Sequence, residues 1–174
     1  MSCDGSSAGG YNEVWHFAEP FRSAIVDTMR LRESLRPYIQ SLYARASTDG
    51  SPVIRMLRYE FAEDIQAAAV DDQFMLGSQY LVAPVLVENS TSRSVYLPVL
   101  PAGEGWRPHF NTTSVAAQDG STLQLHVLSG GAVLNGDGRD RIYRGGQHVV
   151  VSTPLASFPL YKRVTAPIAM ETQV

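Results

Sequence analysis

A single cysteine, Cys3, in 174 residues excludes an internal disulfide and any zinc site built on cysteine ligands. It leaves the redox compartment open. No apolar run approaches the roughly eighteen residues that a helical span requires, so no segment reads as a transmembrane helix and a membrane is not an expected partner. Positive charge is sparse and spread out: 14 basic residues stand against 17 acidic ones, scattered from Arg22 to Arg163, for a net charge of -3. Phosphate neutralisation needs a concentrated basic patch, so nucleic acid is not an expected partner either. Residues 1–10 lack both a basic stretch and an apolar core, and read as a flexible polar segment rather than a signal peptide or an anchor.

What is present is the composition of a folded protein, 44% hydrophobic and 18% charged, long enough for one good core or two small ones. Apolar residues recur at helical spacing at Phe17, Phe21, Ile25 and Met29, then at Leu35, Tyr38, Ile39, Leu42 and Ala46. Pro20 suits a first helical turn, whereas Pro37 falls inside the pattern and predicts a kink or a split near Ser34. The run Thr48-Asp49-Gly50-Ser51-Pro52 supplies the stop. Residues 53–57 read as a strand, and 65–70 as a short helical turn with Asp64 as its N-cap.

Beyond Asp72 the texture changes to short apolar segments at 73–76, 80–87, 94–97, 123–127, 148–151 and 158–163, separated by Gly, Pro, Ser and Asn. Several strands at such spacing predict an antiparallel sandwich or barrel. Residues 111–144 contain Asp119-Gly120, Gly130-Gly131 and Asn135-Gly136-Asp137-Gly138, which read as hairpin turns in an elaborated β excursion.

Candidate chemistry is thin. Gly5-Ser6-Ser7-Ala8-Gly9 has the spacing of a nucleophile elbow, but that motif needs a preceding buried strand and only four residues come before it. Asn135-Gly136-Asp137-Gly138-Arg139-Asp140 is rich in oxygen, yet Arg139 and Arg141 put positive charge where calcium ligands belong, so it reads as a turn. His16, His109, His126 and His148 show neither i, i+4 pairing nor an adjacent acidic ligand set, so no metal site and no cofactor are expected. The close carboxylates Glu63-Asp64 and Asp71-Asp72 are the pairs to weigh for glycosidic chemistry, which uses two such groups around the scissile bond. Adjacent residues point apart, and capping or a solvated loop explains them better. Trp106-Arg107-Pro108-His109-Phe110 offers aromatic rings for stacking on sugars, but a Trp and a Phe so placed more often fill a core. The sequons Asn89-Ser90-Thr91 and Asn111-Thr112-Thr113 matter only in a secretory pathway and are read as chance.

An ordered set of segments resembles the glycoside hydrolases of family 31, which include α-glucosidases and α-xylosidases. The set runs through Asn12-Glu13-Val14-Trp15, Leu31-Arg32-Glu33-Ser34-Leu35-Arg36-Pro37-Tyr38-Ile39, Ser51-Pro52-Val53-Ile54-Arg55 and Tyr59-Glu60-Phe61. It continues through Asp72-Gln73-Phe74-Met75-Leu76-Gly77, Leu81-Val82-Ala83-Pro84-Val85-Leu86 and Val95-Tyr96-Leu97-Pro98. Gly145-Gly146-Gln147, Pro154-Leu155 and Phe158-Pro159-Leu160 complete it. The likeness covers nearly the whole chain except residues 111–144, and Val164-Thr165 stands where the family carries a glycine.

The resemblance implies an α+β fold: the last helix-strand unit of a TIM (β/α)8 barrel followed by an antiparallel β-sandwich domain. On that basis residues 11–70 are the terminal part of the barrel and 71–174 the proximal carboxy-terminal sandwich. It further implies a parent enzyme that hydrolyses α-glucosides or α-xylosides with retention, one aspartate attacking and a second protonating the leaving oxygen. No position here matches either aspartate motif, so no catalytic or substrate-binding residue is assigned. The expectation is a catalytically inert carboxy-terminal portion whose partner is the missing barrel or a second copy through exposed apolar surface. The alternative is an autonomous β domain that binds carbohydrate or docks a partner.

Overall fold

The computed structural model describes residues 13–109, 142–155 and 158–165. The helical pattern is divided where Pro37 demands it, into α1 (Phe21–Ser34) and α2 (Arg36–Asp49) with Leu35 between them. Proline in the first turn of α2 costs nothing because its N–H would have no helical partner there. Gly50 ends α2 in the left-handed region at φ 73°, and its N–H reaches back to the Ala46 carbonyl at 3.1 Å.

The strands are β1 (Ile54–Met56), β2 (Phe74–Leu76), β3 (Tyr80–Val82), β4 (Ser92–Leu97), β5 (Glu104–Pro108), β6 (Gln147–Ser152) and β7 (Leu160–Thr165). Two short helices, α3 (Leu57–Glu60) and α4 (Ile65–Ala68), lie between β1 and β2. One sheet has the order β1-β2-β3-β7-β5, the other pairs β4 with β6, and every pairing is antiparallel. This is a mixed α+β architecture.

The two faces of the large sheet pack differently, as the period of two requires. Met75, Leu81, Trp106 and Tyr161 point to one side and form a single cluster with Val95, Leu97, Val149 and Val151 of the small sheet, joined by Leu57 and Ala67. That is the core of a sandwich. Leu76, Tyr80, Val82 and Leu160 point to the other side and pack against Leu31, Leu35, Tyr38 and Ile39 of the helices. The β2–β3 turn presses so closely on α2 that a Cβ at Gly77 (φ 58°) would collide with the Tyr38 hydroxyl and Leu42. Tyr38 ties the same turn by donating to the Leu76 carbonyl at 3.1 Å and accepting from Gln79 N–H at 3.2 Å.

Three expectations are modified. The strand expected over 53–57 ends at Met56, because Leu57 turns buried into α3, and it takes an antiparallel partner in β2. Strands of a (β/α)8 barrel run parallel, so β1 is built as an edge strand of the sandwich sheet, which thus crosses residue 70. The strand expected over 80–87 stops at Val82, ahead of Pro84, and β5 arises where no strand segment was marked. The expected strand 123–127, with the turns of 111–144, lies outside the described residues.

Candidate functional site

The close carboxylates are placed as structural groups. Asp64 caps α4, accepting from Gln66 and Ala67 N–H at 3.1 Å, and also receives the Tyr96 hydroxyl at 2.8 Å and Val99 N–H at 2.9 Å. One side chain thereby fastens α4 to β4 and to the loop after it. Burial pushes the Asp64 carboxyl up, but the donors from Val99, Ala67, Tyr96 and Gln66 outweigh it and hold the group below its ordinary value. Asp72 accepts from Arg93 at 2.7 Å, so it serves an ion pair between β4 and the approach to β2. Glu63 and Asp71 are exposed.

The depressed carboxyl of Asp64 fixes the sign of a pH effect. Its stabilisation is fully present above the unfolded value of about 4 and is lost as pH falls through the lower folded value. Asp64→Asn is expected to lower unfolding free energy by about 1–2 kcal/mol at neutral pH, the solvent around the partly exposed carboxylate keeping the loss modest. Urea titrations of both proteins should converge once the pH has fallen through the lowered folded value, where the wild-type carboxyl is also neutral. A gap that persists unchanged in acid would contradict the assignment.

The aromatic stretch divides. Trp106 is fully buried, its Nε1–H donating to the Pro98 carbonyl at 2.9 Å and its ring meeting Phe61 edge-on at 6.1 Å. It is a core residue. His109 sits half-buried beside Tyr80 at 5.4 Å. Burial, then the charges of Lys162 and Arg107, push its pKa down. His16 lies near Glu13 at 3.3 Å, and the His148 ring is tilted against that of Tyr96 with centres 4.9 Å apart. No three His, Cys, Asp or Glu side chains among the described residues gather as a metal site would require. Cys3, Gly5–Gly9, Phe110, Asn111, His126 and the 135–140 stretch fall outside the described residues. Asn89 is exposed, with φ 58°.

What the sequence pattern did not mark is surface. Ile54, Met56 and Leu86 are 63%, 68% and 68% exposed and, with Phe74, line a groove of about 270 Å³ at the β1 edge. Trp15, Phe21, Met29 and Tyr43 are exposed along the amino-terminal and helical part. A second groove of about 370 Å³ runs past Ser78, Gln79, Lys162 and Thr165 at the opposite flank of the sheet. The alternation Ile54, Met56 around Arg55 was the available signal for the first, since a buried arginine between two apolar residues turns both of them to the other face.

The comparisons with known proteins agree with this architecture. A model described as "Glycosyl hydrolase family 31 C-terminal domain" matches residues 50–166. Neutral alpha-glucosidase C of Mus musculus is 37% identical over 145 residues, covering 83% of this chain and 15% of that protein. An alpha-glucosidase of Aspergillus niger is 36% identical over 117 residues, covering 64% and 12%. Among solved structures, a family 31 alpha-xylosidase from a soil metagenome, complexed with xylose, superposes with a TM-score of 0.66 at 28% identity, covering 91% of this chain and 19% of that one. The chain therefore spans less than a fifth of the length of these relatives. Through a match that begins at the glycine closing α2 and takes in every strand of both sheets, the chain belongs to glycosyl hydrolase family 31, in the part that forms the family's C-terminal domain.

Proposed function

We propose that these 174 residues are the carboxy-terminal portion of a family 31 α-glycosidase and do not hydrolyse glycosides by themselves. The parent activity is retaining hydrolysis of O-glycosidic bonds in α-glucosides or α-xylosides. The observation that carries this reading is the family match over residues 50–166 in a sequence where no position fits either catalytic aspartate motif. The occupation of Asp64 and Asp72 by capping and ion pairing supports it.

The domain reading proposed for residues 11–70 rests chiefly on α1 and α2, whose exposed Phe21, Met29 and Tyr43 suit a surface that adjoining barrel elements cover. The function of the described part is then to brace that barrel, with β1 belonging to the bracing sheet. Its partner is the barrel polypeptide, and association of two copies through the same apolar residues is the competing outcome. An autonomous sugar-binding role loses support from the burial of Trp106, its best stacking residue.

Purified chain incubated with 4-nitrophenyl α-glucoside and α-xyloside is expected to release no nitrophenol above buffer. Turnover that follows the protein through chromatography and disappears on a single carboxylate substitution would sink the proposal.

A further inference from the structure

Among the described residues, the arginines withdrawn from water each meet a carboxylate, with one exception. Arg55 pairs with Glu60, Arg93 with Asp72 and Arg163 with Glu104, while Arg32, Arg58 and Arg144, which have no ion pair, are exposed. Arg107 is half-buried and has no carboxylate of the described residues within ion-pair distance, and the same holds for Lys162, the chain's single lysine.

These two residues are direct cross-strand partners in β5 and β7, so their side chains leave the same face of the sheet. Lys162 is in turn opposite Tyr80 of β3, with its Nζ 5.6 Å from the centre of the Tyr80 ring. His109, directly after β5, meets that ring edge-on at 5.4 Å. Tyr80 is thus a common neighbour of Lys162 and His109, and Arg107 stands one strand further along, opposite Lys162. Like charges set directly opposite on a sheet repel, and partial burial weakens the water that would screen them. An arrangement of this kind gains most from an anion that satisfies both cations together.

We propose that Arg107, Lys162 and His109 form an oxyanion-binding site on the helix-facing side of the large sheet, taking a carboxylate or phosphate group. Arg107 offers a planar fork of donors and Lys162 a point charge, while neutral His109 adds one N–H. Lys162 also lines the open groove of about 370 Å³, where Ser78, Gln79 and Thr165 add polar groups and leave room for whatever bears the anion. Glu104 lines the same groove, but its carboxylate is engaged by Arg163. The competing account is that the two charges serve only to keep the sheet face from pairing with other chains.

The test is the thermal unfolding of the chain in phosphate, in acetate and in chloride at one ionic strength. Phosphate or acetate is expected to raise the midpoint above chloride. An effect of phosphate alone identifies a phosphate group as the ligand, and an effect of acetate as well identifies any carboxylate. Substituting Arg107→Gln with Lys162→Gln should weaken the binding by at least ~10-fold, whereas the equally charge-reducing pair Arg32→Gln and Arg58→Gln should leave it intact. Titration of the unsubstituted chain followed by the ring resonances of His109 gives a readout that needs no variant to fold. Unmoved His109 signals across the titration, or a shift in midpoint that survives the Arg107 and Lys162 substitutions, would overturn the site.

Discussion

Trp106→Ala is expected to lower the unfolding free energy by about 3–5 kcal/mol, a large part of the 5–15 kcal/mol typical of a whole domain. The indole is fully buried where both sheets, Phe61 and the Pro98 carbonyl converge. Its removal leaves a cavity at the centre of the cluster that joins the two sheets, where the fully buried neighbours Leu81, Val95 and Leu97 are already in contact. Trp106→Phe separates the two contributions. It keeps most of the ring packing but leaves the Pro98 carbonyl without its donor, at a cost of about 1–3 kcal/mol. Urea denaturation should therefore rank the wild type above Phe and Phe above Ala. If Trp106 stacked on sugar instead, both variants would keep wild-type stability and lose saccharide binding, the opposite pattern.

Local chemistry was legible where a single residue decides it. Pro37 announced the break between the helices, Gly50 the end of α2, and Asp64 the cap of α4. β5 escaped notice because Glu104-Gly105-Trp106-Arg107-Pro108 has poor strand propensity; it forms because it is an edge strand, where Pro108 removes no needed donor. Contacts between distant segments were invisible for a topological reason. β7, at the end of the described chain, inserts between β3 and β5, so Lys162 comes to lie between Tyr80 and Arg107, and no periodicity in the sequence encodes that order. The same holds for Asp64 and Tyr96, joined across 32 positions. The ordered family segments remain the strongest pointer, and the structure explains several of them physically. Gly77 gives α2 its close approach, and Gly145 lies where a Cβ would strike the Pro98 carbonyl.

Tyr59-Glu60-Phe61 belongs to the same set, and its middle residue carries the second large effect. Glu60→Ala is expected to cost about 3–5 kcal/mol, because it strands a buried guanidinium. Arg55 projects from β1 into the sandwich side of the sheet with a side chain only 7% exposed; Glu60 at the end of α3 accepts from it at 2.6 Å, and the Pro52 carbonyl accepts from its Nε at 2.8 Å. Removing the carboxylate takes away the anion that compensates the charge and leaves only the Pro52 carbonyl and the Tyr59 ring beside it, while Arg55→Ala alone leaves a less buried glutamate that water can reach. The asymmetry predicts that Glu60→Ala is the worse of the two. Replacing both partners together, Arg55→Met with Glu60→Leu, is expected to restore most of the loss, since apolar residues of similar volume remove the desolvation cost along with the attraction. A double-mutant cycle by urea denaturation measures this directly. A double variant as unstable as Glu60→Ala would mean that the pair fixes the geometry of the β1–α3 junction itself, and that the family motif is kept for orientation rather than for charge compensation.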